Sequence, residues 1–159
     1  MEQKTLSRWL KAIIIGIGLF GLTVYAAVVP ALADHMLQAY TEYAPAVLPW
    51  KIFIGCSALP CYAVLFFAWK IASNIGIDRS FSEENAKNLK WISALAAGDA
   101  LFFFLGNVLL LLANMNHPGI VLASSVVVFV GIAVAVASAA LSHLVKKAAA
   151  LQEQSDLTI

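Results

Sequence analysis

The sequence predicts an all-α integral membrane protein with four transmembrane helices. Hydrophobic residues make up 62% of the 159 residues, charged residues make up only 12%, and the apolar residues gather into four long stretches. Soluble domains carry roughly 25% charged residues. Since four spans use almost the whole chain, we expect one transmembrane domain over residues 1–159, with residues 146–159 as a C-terminal tail.

Basic residues cluster in every second gap between the apolar stretches. They precede the first stretch, follow the second and follow the fourth: Lys4, Arg8 and Lys11; Lys70, Arg79, Lys87 and Lys90; Lys146 and Lys147. The two remaining gaps contain only Lys51, at an edge. Because Lys and Arg resist translocation, they mark the cytoplasmic side. The pattern predicts that both termini lie in the cytoplasm.

The first helix is predicted over residues 12–33, after Trp9 as an interfacial anchor. Gly16, Gly18 and Gly21 match the G-x-G-x-x-G pattern of dinucleotide-binding turns, but no strand precedes them, so close helix packing is favoured. A cleaved signal peptide is the alternative, with residues 31–33 as the small-residue site. The apolar stretch is longer than a usual signal core, which favours a retained span.

The second helix is predicted over residues 50–73, with a kink at Pro60 because proline removes one backbone donor. Gly76 is expected to end it. Cys56 and Cys61 lie five residues apart on this helix and point in different directions. We expect two buried thiols without a disulfide.

The polar segment after the second helix predicts a short amphipathic helix over about residues 82–90. Ser82 is suited to cap its N-terminus, and Glu83 and Glu84 fall in the first turn, where the helix dipole favours acids. This helix is expected to run directly into the third span.

The third helix, over residues 91–113, contains one intramembrane acid, Asp99. Burying Asp at mid-bilayer costs about 2.5–3.5 kcal/mol, which the following apolar residues offset. At about 100° per residue, Asp99, Asn107 and Asn114 share one face. Such a polar stripe is expected to face the bundle or another subunit, because lipid would leave it unpaired.

The fourth helix is predicted over residues 120–145, paired with the third as an antiparallel hairpin, and is expected to project into the cytoplasm as far as residue 154. Gly131, Ala135 and Ala139 lie four residues apart and predict a close-packing seam, which His143 continues. His143 is also the candidate partner of Asp99 and completes the intramembrane polar stripe.

Two segments resemble a known family. Residues 78–90, reading DRSFSEENAKNLK, are similar to the loop of the small bacterial membrane proteins known as domain of unknown function 2975, and residues 151–159, LQEQSDLTI, are similar to that family's ending. Ser80 replaces the family's usual proline, and Ser155 its usual asparagine. The resemblance implies four spans in the bacterial cytoplasmic membrane and a gene often placed beside a helix-turn-helix regulator. It implies no established activity.

The distinctive sequence lies in these two segments, so the first hypothesis is a regulatory protein that presents loop and tail to a cytosolic partner such as that regulator. The alternative in which both segments only cap the bundle stays open. The candidate docking residues are Phe81, Ser82, Glu83, Glu84, Asn85, Lys87, Asp156, Leu157 and Ile159. The second hypothesis is an oligomeric small transporter or proton pathway through Asp99, against the alternative that a protonated Asp99 only bonds a neighbouring helix.

Other classes have little support in the sequence. We expect no enzyme, because the chain contains no H-E-x-x-H motif, phosphate-cradling loop or surface C-x-x-C pair. Asp34, His35, Glu42 and His117 do not have a spacing that demands a metal, and no cofactor is predicted. Direct nucleic-acid binding is not expected, because membrane topology explains the basic residues. The predicted partners are the lipid bilayer, a cytosolic protein and further copies of the chain.

Overall fold

The computed structural model describes residues 2–156, except the side chains of Met36, Ala39, Tyr43 and Asp156. Every regular element in this part of the chain is helical. The elements are α1 (Gln3–Thr23), a π-helical turn (Val24–Val28), α2 (Val29–Ala39), a 3-10 turn (Thr41–Tyr43), α3 (Ala44–Gly76), α4 (Glu83–Leu112) and α5 (Pro118–Asp156).

Four helical segments are long and apolar enough to cross a membrane: Gln3–His35, Ala44–Gly76, Glu83–Leu112 and Pro118–Ser155. They are called the first to fourth spans below. The prediction of an all-α membrane protein with four spans is therefore confirmed, and the predicted boundaries change at several ends.

The first span is longer than the predicted residues 12–33 and is interrupted by a π turn. Pro30 follows that turn and has no N–H to offer the carbonyl of Ala26, four residues earlier. The Val29 N–H instead bonds to Val24, five residues earlier. Widening the helix by one residue accommodates the proline without ending the span.

The second span begins at Ala44 rather than Trp50 and ends after Gly76. The residue that turns the chain is Asp78, whose φ of 62° is left-handed. The N–H groups of Asp78 and Arg79 bond to the carbonyls of Ile75 at 3.2 Å and Asn74 at 2.9 Å. This is a Schellman ending, in which Asp78 takes the position expected for glycine.

The predicted amphipathic helix and the third span form one continuous helix, α4. Ser82 caps it as predicted, because its hydroxyl accepts the Asn85 N–H at 3.2 Å. The helix ends at Leu112, and Asn114 has a φ of 54° in a second Schellman ending. Asn114 therefore belongs to the turn after α4, whereas Asp99 and Asn107 lie on the helix itself. Asparagine suits this position because it tolerates the left-handed conformation better than most residues.

The fourth span starts at Pro118, which suits a first helical position because its missing N–H would be unpaired there. Its helix continues through the predicted tail to Asp156. The described part of residues 146–159 is thus a helical extension of the span by about three turns.

The spans pack in chain order as an open row. The first contacts the second, the second the third, and the third the fourth, with the tightest pairing between α4 and α5. Among residues 2–156, the backbones of non-consecutive spans do not approach closely. Consecutive antiparallel spans place the segments before α1, between α3 and α4, and after α5 at one end of the row, called the terminal end below.

Serines hold the α4–α5 pair at its seam. Ser93 donates to the Ala135 carbonyl at 2.8 Å, and Ser142 donates to the Ala86 carbonyl at 2.7 Å. A Cβ atom on Gly131 would lie 3.1 Å from that of Ala100, which confirms this glycine as a close-contact position.

The second half of the predicted seam is wrong. Ala139 and His143 are exposed, and Ser138 and Ser142 take their places. Four residues advance the helix by about 40° beyond a full turn, so three such steps rotate a row by about 120°. Residues 131, 135, 138 and 142 are spaced by four, three and four residues, so they all stay on the face of α5 that packs against α4.

Candidate functional site

The loop between the second and third spans is organised by Asn85. Its side chain is 1% exposed. The amide nitrogen donates to the carbonyls of Arg79 at 3.1 Å and Ser80 at 3.0 Å, and the amide oxygen accepts from Asn74 at 2.9 Å. Asn85 thus fixes the loop onto the start of α4 and the end of α3.

The start of α1 is attached to the same loop. Gln3 donates to the Asp78 carboxylate and accepts from the Ser80 hydroxyl. Ser7 is buried and donates to the Ala72 carbonyl at 2.6 Å. Close approach is possible because Gly76 has no side chain; a Cβ there would lie 2.8 Å from the Ser7 hydroxyl. The terminal end is therefore tied by contacts between α1, the loop and α3.

A cleft of about 360 Å³ separates this loop from the last turns of α5. The loop side supplies Asp78, Arg79, Phe81 and Ser82, and the helix side supplies Gln152 and Glu153. Phe81 is 59% exposed, although the loop around it is fixed by hydrogen bonds from the buried Asn85 side chain. The cleft combines an accessible aromatic ring with charges of both signs, and we call it the loop–tail cleft.

The candidate docking residues divide into three groups. Phe81, Glu83, Glu84 and Lys87 are exposed, and Ser82 is half-buried as the cap of α4. Asn85 is buried and bonded within the protein, so its side chain is not available to a partner in this conformation. The side chain of Asp156 and residues Leu157 and Ile159 lie outside the described residues.

A second polar cluster lies inside the membrane and joins the first three spans. The Cys61 thiol donates to Asp99 Oδ2 at 3.6 Å. The Tyr25 hydroxyl lies 4.0 Å from the Cys61 sulfur and 3.3 Å from the Ser57 hydroxyl. Asp99 Oδ1 is buried without a hydrogen-bond partner. Tyr25 lies on the π turn, and Ser57 and Cys61 flank Pro60, so the π turn and the proline of α3 meet at this cluster.

The predicted stripe therefore separates into two sites. Asn107 is 1% exposed and accepts from the amide of Asn116 at 3.1 Å, near the end opposite the terminal end. His143 is exposed and is not among the partners of Asp99. The thiols are unpaired as predicted, but both cysteines are exposed on the protein surface rather than buried.

Sequence reasoning missed Asn116, Tyr25 and Ser57. Asn116 lies in a loop, where a polar residue is ordinary. Tyr25 is one aromatic residue among many in an apolar span, and only its distance from Pro30 hints at a special position. In residues 2–156 no three His, Cys, Asp or Glu side chains lie together in a way that would hold a metal ion.

The helices and both sites define a small polytopic α-helical membrane protein. Residues 31–159 match a known family, and the chain belongs to that family, described as "Protein of unknown function (DUF2975)". The chain is also 29% identical over 149 residues to the "Uncharacterized membrane protein YoaS" of Bacillus subtilis (strain 168), and the alignment covers 92% of each chain. No solved structure matches the chain. The resemblance noted for the loop and the ending is confirmed.

Proposed function

We propose that this protein is a regulatory membrane protein that binds a cytosolic protein at the loop–tail cleft. The observation that carries the proposal is Phe81, which is 59% exposed on a loop that hydrogen bonds from the buried Asn85 side chain hold fixed. An accessible aromatic side chain on a rigid support is typical of the residues that dominate binding energy in protein interfaces. The ordering cost of binding is low when the surface is already fixed.

The charges around Phe81 favour a protein partner. Arg79 lines one side of the cleft and Glu153 the other, and Glu83, Glu84 and Lys87 are exposed next to it. Mixed charges around an aromatic centre form the polar rim that sets orientation and specificity. The proposed partner is a helix-turn-helix regulator encoded beside the gene, and the proposed location is the bacterial cytoplasmic membrane with the terminal end in the cytoplasm.

The test is co-purification of that regulator with the detergent-solubilised protein. We expect Phe81→Ala combined with Glu153→Gln to lower recovery of the regulator at least about tenfold, the effect of losing one aromatic anchor. Leu151→Ala is the matched control, because Leu151 is 67% exposed on the same helical segment and does not line the cleft. Equal recovery with both variants would contradict docking at the cleft.

A second candidate function, proton-coupled transport, is favoured by one observation. Asp99 Oδ1 is buried without a hydrogen-bond partner, and Asp99 Oδ2 accepts from the Cys61 thiol of the second span, which the Tyr25 hydroxyl of the first span also contacts. Intramembrane acids with this kind of surroundings often mark ion routes. Because an open row of four helices encloses no channel, this function requires several copies to assemble.

The transport hypothesis is tested with the purified protein in liposomes that contain a pH-sensitive dye. If Asp99 carries protons, Asp99→Asn reduces the flux to that of protein-free liposomes. Asp34→Asn serves as the control, because Asp34 is an exposed acid at the other end of the row. A flux that Asp99→Asn leaves unchanged, or no flux from the unaltered protein, refutes transport through Asp99.

A further inference from the structure

A second groove at the terminal end is lined by basic side chains. It has a volume of about 260 Å³ and lies between the first turns of α1 and the last turn of α3. Lys4, Arg8 and Lys11 form one wall, and Ser73 and Gly76 lie on the other. We call it the basic groove. It is separate from the loop–tail cleft, with which it shares no lining residue.

The three cations of this groove form no ion pair in the described part of the chain, and the nearby Asp78 carboxylate is hydrogen-bonded to Gln3. The one ion pair of the described part joins Lys51 to Asp34 at 3.2 Å, at the opposite end of the row. Lys11 instead lies over the ring of Trp69, 5.1 Å from its centroid. Three cations on one face of α1 that form no ion pair attract an anion, and a guanidinium with two ammonium groups suits a phosphate.

The groove lies at the depth where a lipid headgroup would lie. Trp9 is 61% exposed and Trp69 is 38% exposed, and tryptophans of this kind occupy the membrane–water interface. The uninterrupted apolar sequence begins at residue 12, directly after Lys11. The cations are therefore at the boundary between water and hydrocarbon.

The helical face that carries the cations continues into the membrane as an exposed apolar surface. Lys4, Arg8 and Lys11 are spaced by four and three residues, so they lie on one face of α1. The same spacing leads to Ile15, Gly18 and Leu22. Ile15 is 52% exposed and Leu22 is 57% exposed. One face of α1 thus places cations at the interface and apolar side chains below them, in the order of a phospholipid's phosphate and acyl chains.

We infer that the basic groove binds the phosphate-bearing headgroup of an anionic phospholipid, whose acyl chains lie along Ile15 and Leu22. Arg8 and the two lysines contact the phosphate, and the Ser73 hydroxyl donates to the headgroup. General attraction of basic residues to a negatively charged membrane would need no such groove. A bound lipid, in contrast, requires both the charges and the space between α1 and α3.

Native mass spectrometry of the detergent-purified protein tests this inference. The probes are phosphatidylglycerol and phosphatidylethanolamine with identical acyl chains, added in equal amounts. We expect the unaltered protein to retain phosphatidylglycerol preferentially, and the triple variant K4Q/R8Q/K11Q to lower that preference about tenfold. The matched control K90Q/K146Q/K147Q removes three exposed cations from the same end of the protein but none from the groove, and it should keep the preference.

Equal losses in the two triple variants would overturn the inference in favour of diffuse attraction. A second variant, Ser73→Trp, fills the groove without changing the charge and should also release the lipid; if phosphatidylglycerol remains bound to it, the groove is not the binding site. Addition of inorganic phosphate separates the two sources of the ligand. Retained lipid at excess phosphate supports a lipid site, whereas displacement of the lipid by phosphate indicates a site for the free anion and overturns the assignment.

Discussion

Replacing Gly106 by alanine is the sharpest test of the packing between the second and third spans. A Cβ atom at this position would lie 2.7 Å from Cζ and 2.8 Å from Cδ2 of Phe53, distances that real Cβ contacts do not show. Phe53 is 9% exposed and has little room to move. Its ring centroid lies 5.3 Å from those of Phe102 and Phe103 and 6.0 Å from that of Trp50.

The change in the free energy of unfolding caused by Gly106→Ala is the sum of two opposing contributions. Overpacking of a filled core costs about 1–3 kcal/mol. Alanine also favours the helix by about 1 kcal/mol relative to glycine. Gly98→Ala on the same helix isolates the second contribution, because nothing lies within 4 Å of a Cβ added at Gly98. The difference between the two variants is therefore the overpacking cost of about 1–3 kcal/mol, or about 3–10 °C in melting temperature.

The assay is thermal unfolding of the purified protein in detergent, followed by circular dichroism. We expect the melting temperature of Gly98→Ala to match or exceed that of the unaltered protein. The melting temperature of Gly106→Ala should lie several degrees below that of Gly98→Ala. Adding Phe53→Leu to Gly106→Ala should recover part of the loss, because the smaller side chain vacates the space that the new methyl group needs. Equal melting temperatures for Gly98→Ala and Gly106→Ala would refute the proposed contact between Phe53 and Gly106.

Further predictions concern three asparagines, and the same melting assay measures each. Asn85→Leu should destabilise the protein by about 2–4 kcal/mol, because it removes the three hydrogen bonds of a buried side chain and leaves their partners unpaired. Asn88→Leu should be neutral or stabilising, because the Asn88 amide nitrogen is buried without a partner; a large loss there would mean that this amide has a partner in solution. Asn114→Val should cost about 1–2 kcal/mol because φ is 54°, whereas Asn114→Gly should be tolerated; identical stability of the two variants would contradict the left-handed conformation.

The four spans and the cap at Ser82 could be predicted because they depend on local signals. Apolar length identifies a span, and a serine followed by two glutamates marks a helix start. Span boundaries were less accurate, since polar residues at helix ends do not by themselves stop a helix: residues 3–11 stay helical before the predicted first span. The continuation of the fourth helix beyond residue 145 was predicted and is confirmed. Inside the first span, likewise, Pro30 does not stop the helix, because the π turn before it accommodates the proline.

The sites could be predicted only in part, because they depend on which spans become neighbours. Asp99 was recognisable as unusual from its burial cost alone. Its contact with Cys61 was not predictable, because Cys61 lies on another span. The proposed partner His143 lies on the opposite neighbour, α5, and a row spaced by four residues turns it away from α4. The burial of Asn85 was not predictable for a similar reason, since a polar loop residue is expected to be exposed and this one lies at the centre of the loop.

The row of spans has a consequence for biogenesis. Each span needs only the span synthesised immediately before it, so helical hairpins could assemble in the order in which they leave the ribosome, without waiting for a distant segment. The edges of the row are α1 and α5, and each is supported from one side only. A chain that stops before α5 would keep all the close backbone contacts among its first three spans. It would lose only the contacts between α4 and α5, which would leave the face of α4 that packs against α5 uncovered.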